Sequence, residues 1–192
     1  AALDEAGFED ITLCPETMGK VGQLGTLDEV LAAAQKAKDN TRTVGFALTP
    51  CVIPEIGHAN FTLGENEMAM GMGIHGEPGI RREPLTDADT LAARMADQLL
   101  SALDLTDKQA QVAILVNGLG GTPLQELYLL NHSLRQALAQ THPGIQVVFS
   151  LVGNYMTSID MAGASISILH LDDMLRELLF DPCDTAALKL SG

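Results

Sequence analysis

From Thr26 onward, apolar and polar positions fall into blocks whose period changes from one block to the next. Leu27, Val30, Leu31, Ala34 and Ala37/Lys38 recur at helical spacing behind Thr26-Leu-Asp-Glu29, a capping-box pattern, and predict a helix over 27–38. Thr43–Thr49 is a short apolar run with one glycine, and Pro50 and Pro54 follow it, so it reads as a strand entering a turn-rich loop. Glu67–Ile74 predicts a second strand with Met68, Met70, Met72 and Ile74 on one face. Ala69, Gly71 and Gly73 stand opposite, small enough to let something approach the backbone. Thr86-Asp-Ala-Asp89 opens a helix whose stripe is Leu91, Met95, Leu99 and Leu103. Gln111–Asn117 is a buried strand and 118–121 a loop. Thr122 then offers an N-cap, with Pro123 at the first helical position and Gln125 completing the box, for a helix ending near His142-Pro143-Gly144. Strands at Ile145–Val152 and Ala164–Leu171 and a short helix over 172–180 complete the pattern.

Strands alternating with helices predict an α/β fold. A loop without a helix joins the first two strands, so the expected sheet is mixed and covered by helices. Residues 1–25 carry no clear period and read as a linker or the remnant of a preceding domain, which leaves 26–192 as a single α/β domain.

Composition narrows the function classes. The 192 residues suffice for a folded core, and the 46% apolar and 19% charged fractions exclude disorder. Eleven basic residues against 25 acidic ones give a net charge of −14, which repels phosphate backbones and anionic lipid, so neither a nucleic acid nor a membrane is an expected partner. Cys14, Cys51 and Cys183 are odd in number and form no CxxC, the pattern of reduced thiols in a cytoplasmic protein.

The densest candidate chemistry is Gly71-Met-Gly-Ile-His75-Gly-Glu-Pro-Gly79. It contains G-x-G-x-x-G after a strand, but a dinucleotide fingerprint must open a helix, and Pro78, Gly79 and Pro84 deny one here. What remains is a histidine flanked by Gly73 and Gly76, with Glu77 two residues on. Such an imidazole can serve as base, metal ligand or nucleophile toward a carbonyl carbon. A turn histidine held by backbone hydrogen bonds is the other reading, and spacing alone leaves both open. Cys51, His58 and His75 match none of the paired-ligand spacings of zinc folds, so no metal is expected. His132, His142 and His170 do not cluster, and no G-x-S-x-G elbow exists. In Val116–Pro123, Gly120, Gly121 and Thr122 precede a helix start and could cradle an anion, or form an ordinary tight connection. Arg81-Arg82, the one adjacent basic pair, could face a phosphorylated ligand, an acidic partner or only water. Asn154–Asp160 reads as a capped connection or one wall of a pocket.

Phe46-Ala-Leu-Thr-Pro-Cys51, Phe61-Thr-Leu with Glu67-Met68, Gly73-Ile-His-Gly-Glu-Pro-Gly-Ile80, Val116–Leu124 and Thr157–Met161 occur in the order found in dihydroxyacetone kinases. From about Lys20 onward the chain resembles the second, histidine-bearing domain of the substrate-binding (K-type) subunit. The resemblance implies that His75 adds to the ketone carbonyl of dihydroxyacetone, or of a similar short ketose, as a hemiaminal. Gly73, Gly76, Glu77 and Asp160 then surround the substrate. It also implies a missing N-terminal K-type domain and a homodimer. ATP or ADP with Mg would lie on a nucleotide-binding L-type partner, this domain itself holding no cofactor, and the isolated chain would be inactive. The alternative is a non-catalytic, ketose-sensing coactivator of the same fold.

Overall fold

The computed structural model describes residues 26–52, 57–59, 61–72, 81–106, 108–184 and 189–190. The chain divides into two units, one of residues 42–168 and one of residues up to 41 together with those from 169.

In the smaller unit, helix α1 (Leu27–Asp39) begins at the predicted box: the Glu29 amide donates to Thr26 Oγ1 at 3.3 Å and the Thr26 amide to Glu29 Oε2 at 3.0 Å. Its buried face is alanine, Ala33, Ala34 and Ala37, which lets helix α4 (Asp173–Phe180) approach through Leu178. Asp172 caps α4 by accepting from the Leu175 amide at 2.8 Å and pairs with Lys36 of α1.

The larger unit is built on a six-stranded mixed sheet in the order β3-β2-β1-β6-β4-β5. Its strands are β1 (Thr41–Ala47), β2 (Glu67–Met70), β3 (Arg81–Pro84), β4 (Ala110–Gly118), β5 (Ile145–Gly153) and β6 (Gly163–Leu171). A two-stranded piece, β7 (Cys183–Asp184) and β8 (Lys189–Leu190), lies in the smaller unit. Strands β1, β2 and β3 form an antiparallel meander, while β4 and β5 are parallel with helix α3 (Leu124–Thr141) as their crossover. Helix α2 (Ala88–Ala102) starts at Asp87, which accepts from the Thr90 amide at 2.8 Å.

Side chains alternate across a strand, so the sheet has two distinct faces. Val44, Phe46, Met68, Met70, Val112, Ile114, Val116, Ile166 and Ile168 form one face and pack with Leu91, Met95 and Leu99 of α2 and Leu127, Leu130 and Leu134 of α3. The opposite face carries Thr43, Gly45, Ala47, Ala69, Asn117, Ser165 and Ser167 across its centre.

Three local expectations are corrected. The second strand stops at Met70, because Gly71 takes a φ of +77° and donates its amide to Gly45 O at 2.8 Å. That turn carries Met72 off the Met68/Met70 face and packs it with Ala47 and Ala69. Thr122 does not cap α3: the cap residue is Pro123, with no side-chain cap bond, and the Thr122 hydroxyl instead bridges both the carbonyl and the amide of Gly163 at 2.7 Å. Arg81–Pro84, read from sequence only as a basic pair near a proline, is a strand.

Candidate functional site

Several of the described segments that carried motifs meet on or beside the small-residue face. At its centre a Cβ on Gly45 would lie 2.5 Å from the Met72 carbonyl, so the chain leaving β2 crosses β1 at a distance only glycine allows. Met72 is 4% exposed and packs with Ala47, Cys51, Ala69, Leu119 and Met161. Gly73, His75, Gly76 and Glu77 fall in 73–80, outside the described residues. The positions where that segment is rooted are described: Met72 before it, and Arg81 after it, opposite Met70 in the antiparallel ladder.

The ladder separates the basic pair. Arg81 stands opposite Met70 and Arg82 opposite Ala69, so the two side chains lie on opposite faces. Arg81 pairs with Glu83, which also accepts from Arg94 Nη2 of α2 at 2.5 Å. Burial raises the Glu83 pKa, but Arg94 and Arg81 outweigh it and hold the carboxyl below its ordinary value. Arg82 is exposed and shares the face of Ala69 and Met72.

The 154–162 loop is a hydrogen-bonded connection between β5 and β6, and Asn117 holds it. This residue closes the apolar run of β4, is 0% exposed, and accepts from the amides of both Tyr155 and Met156 at 2.9 Å. Its own amide donates to Met156 O at 2.7 Å, and Ser165 Oγ lies 3.4 Å away. The Ser158 hydroxyl donates to Leu119 O at 2.9 Å and accepts from the Met161 amide at 3.1 Å. Asp160 at the loop's end is exposed and accepts from the Val52 amide at 3.2 Å, while Ala162 is tied to Leu48 and Thr49. The loops after β1 and β4 and before β6 are thereby stitched together. Sequence reading passed over Asn117; the signal was a lone amide side chain ending a strand of otherwise apolar residues.

Gly120 and Gly121 are part of the same stitching. A Cβ on Gly120 would meet Ser158 O at 2.8 Å, one on Gly121 would meet Asp160 O at 2.6 Å, and the Gly121 amide donates to Met161 O at 2.9 Å. Of the remaining histidines, His58 is exposed with Nδ1 3.1 Å from Ala59 O, and His142 is buried at the end of α3 against Asp97 and Thr106 O. Cys51 is buried. Among the described residues no three His, Cys, Asp or Glu side chains converge on one point, and no helix is long and apolar enough to cross a membrane.

Residues 17–187 match the Dak1 domain, nearly the whole chain. The chain belongs to the Dak1 domain family. It is 39% identical over 183 residues to the dihydroxyacetone-binding subunit DhaK of a PTS-dependent dihydroxyacetone kinase of Listeria innocua, covering 94% of this chain and 55% of that one. Among solved structures, a dihydroxyacetone kinase operon co-activator, DhaQ, superposes with a TM-score of 0.78 at 31% identity, over 88% of this chain and 53% of that one. The dihydroxyacetone kinase of C. freundii superposes with a TM-score of 0.71 at 26% identity, over 93% and 35%. The chain thus spans about half the length of the DhaK and DhaQ chains it matches and about a third of the kinase.

Proposed function

We infer that this Dak1 domain anchors a short ketose, dihydroxyacetone or a close relative such as erythrulose, covalently on His75. The observation that supports the reading is that Met72, the residue before Gly73–Ile80, is buried on the small-residue face. Met72 crosses Gly45 there, and Arg82 and the Asn117-held loop with Asp160 stand on the neighbouring segments. Three Cα–Cα steps lead from Met72 to His75, a reach of about 10 Å.

In the proposed step the unprotonated ring nitrogen of His75 adds its lone pair to the carbonyl carbon. The C=O π pair moves to oxygen, which takes up a proton, and the other ring nitrogen gives one up. The adduct selects ketones and aldehydes over simple alcohols, and it orients the terminal hydroxyl for phosphoryl transfer, a reaction governed by positioning. The transferable phosphate is supplied outside this domain, from ATP or from a nucleotide with Mg on an L-type partner. Activation of the hydroxyl falls to groups outside this domain. The chain alone therefore holds substrate without turning it over.

The test is ¹³C NMR of dihydroxyacetone labelled at the ketone carbon. Addition moves that resonance from the carbonyl to the tetrahedral range, and His75→Ala abolishes the shift while leaving the fold intact. Ketose bound with an unchanged carbonyl resonance would overturn covalent anchoring.

A second reading, a ketose-sensing coactivator, is favoured by the likeness to DhaQ. It shares the adduct but not the partner. Retention of the chain by a nucleotide-binding L-type subunit supports the kinase role, and retention by a transcriptional regulator supports the sensor.

A further inference from the structure

Helix α3 ends on a histidine whose ring is bonded on both sides. His142 is the C-cap residue and is 6% exposed, with its amide donating to Leu138 O and its carbonyl accepting from the Ile145 amide, both at 2.9 Å. The ring reaches two further elements. Nε2 lies 2.7 Å from Asp97 Oδ1 of α2, and Nδ1 lies 3.2 Å from the Thr106 carbonyl in the connection between α2 and β4. One side chain thus ties together α2, that connection and the turn from α3 into β5, all within the larger unit.

The two bonds need two hydrogens. A carboxylate and a carbonyl accept and do not donate, so the imidazole must supply an N–H to each. A neutral ring carries one N–H and presents a bare lone pair at its other nitrogen, which here would face an oxygen across 2.7 or 3.2 Å. Only the imidazolium has two. The helix end favours the cation as well, because the last carbonyls of α3 carry partial negative charge and its last turn holds no basic residue to offset them. Other charges on the surrounding elements have partners or face water. Arg94, one turn before Asp97 on α2, pairs with Glu83, and Asp104 pairs with Lys108 at 2.5 Å. Arg135, two turns before His142 on α3, is exposed. β4 and β5 open on the uncharged Ala110 and Ile145, and Asp107 lies outside the described residues.

We propose that His142 is a proton-dependent clasp, an imidazolium that bonds Asp97 and Thr106 at once and gives up one of the two when it loses its proton. Deprotonation sets a lone pair against an oxygen, so the turn that starts β5 is then held from one side only. The histidine of the unfolded chain titrates at about 6.5, and a ring held charged by folding contributes fully below that pH. Its contribution is lost at higher pH, as the folded ring releases its proton. The clasp stands on α2, α3 and the connection before β4, and is independent of the ketose reading.

Nitrogen-15 NMR of the histidine rings in the full chain tests it, with His142→Gln assigning the signals. At about pH 7.5, where a free histidine is mostly neutral, both ring nitrogens of His142 are expected in the protonated range. Asp97→Asn, a change at a side chain 64% exposed, removes the facing charge and should move one of the two into the bare range at the same pH. The midpoint of urea unfolding gives a second readout. The loss in Asp97→Asn relative to wild type should be largest at about pH 6 and shrink steadily as pH rises toward about 9. Should either variant fold poorly, the wild-type spectrum decides by itself, through the number of histidine rings that keep both protons at about pH 7.5. One protonated and one bare nitrogen on every wild-type ring, an imidazolium that survives Asp97→Asn unchanged, or a midpoint loss that does not vary with pH each overturns the proposal.

Discussion

The two faces of the central sheet are made from the same strands and solve opposite problems. On the helix-covered face, Phe46, Met68, Ile114, Val116 and Ile166 interdigitate with Met95, Leu99 and Leu134, and stability comes from filled volume. On the other face Gly45, Ala47 and Ala69 keep volume out, so that the Met72 carbonyl can cross β1, and Thr43, Asn117, Ser165 and Ser167 place hydrogen bonds where bulk would stand. One face is intolerant of loss and the other of gain. That asymmetry lets one sheet be held rigidly on one side and admit a crossing segment on the other.

The largest expected effect is removal of bulk from the filled face. Ile114, 2% exposed at the centre of that core, should cost about 3 kcal/mol when changed to alanine, as other cavity-forming substitutions do, measured by denaturant unfolding. Where the variant remains folded, ketose adduct formation should be retained. The reciprocal change adds a single methyl to the other face. Gly45→Ala brings a Cβ against the Met72 carbonyl, and overpacking of this kind costs about 2 kcal/mol. Here the adduct should weaken more than the lost stability explains, because the root of the 73–80 segment moves. A Gly45→Ala protein with wild-type stability and adduct would erase the distinction between the faces.

Asn117→Ala leaves the amides of Tyr155 and Met156 without their acceptor and should also cost about 2 kcal/mol. Proteolysis at the 154–162 loop is the sensitive readout, and an unchanged cleavage pattern would show that the loop stands without this clamp. Ser167→Ala removes only the partner of Thr43 at 2.8 Å and should cost about 1 kcal/mol by the same unfolding measurement.

The smallest effect concerns the strand at the meander's end. Glu83 has its pKa lowered from 4.5 by Arg94 and Arg81 against the opposing pull of burial, so its contribution is complete above 4.5 and disappears as pH falls through the lowered value. Glu83→Gln should therefore flatten the acid limb of a stability-against-pH curve below 4.5 and leave its slope at neutral pH alone. An acid limb identical to wild type would remove the ion pair from the account of how β3 is held.

Elements whose signals are local were legible. The Thr26/Glu29 box and the Leu91-Met95-Leu99 stripe depend on residues three or four apart and the β4 strand on an unbroken apolar run, and each appears where expected. Legibility failed where a local preference met a distant competitor. Thr122 is a good cap by composition, yet its hydroxyl is taken by Gly163, 41 positions away, whose amide and carbonyl need a partner at the start of β6. Glu67–Ile74 alternates as one strand, yet Gly71 turns its amide to Gly45 and moves Met72 to the opposite face. Arg81 and Arg82 are neighbours in sequence, and the ladder to β2 sends them to different faces.

By itself the sequence determined the α/β class, the order of helices and strands from α1 to α4 apart from β3, and the motif set that marks the Dak1 family, because these rest on short-range periodicity and on residue identity. Tertiary structure alone decided that β1 and β2 pair through Phe46–Met70, that a third strand closes the meander, and that Asn117 organises the loop carrying Asp160. Those outcomes depend on which backbone groups find each other across tens of residues. Every buried N–H and C=O must be satisfied by some partner, and only the assembled sheet settles which one.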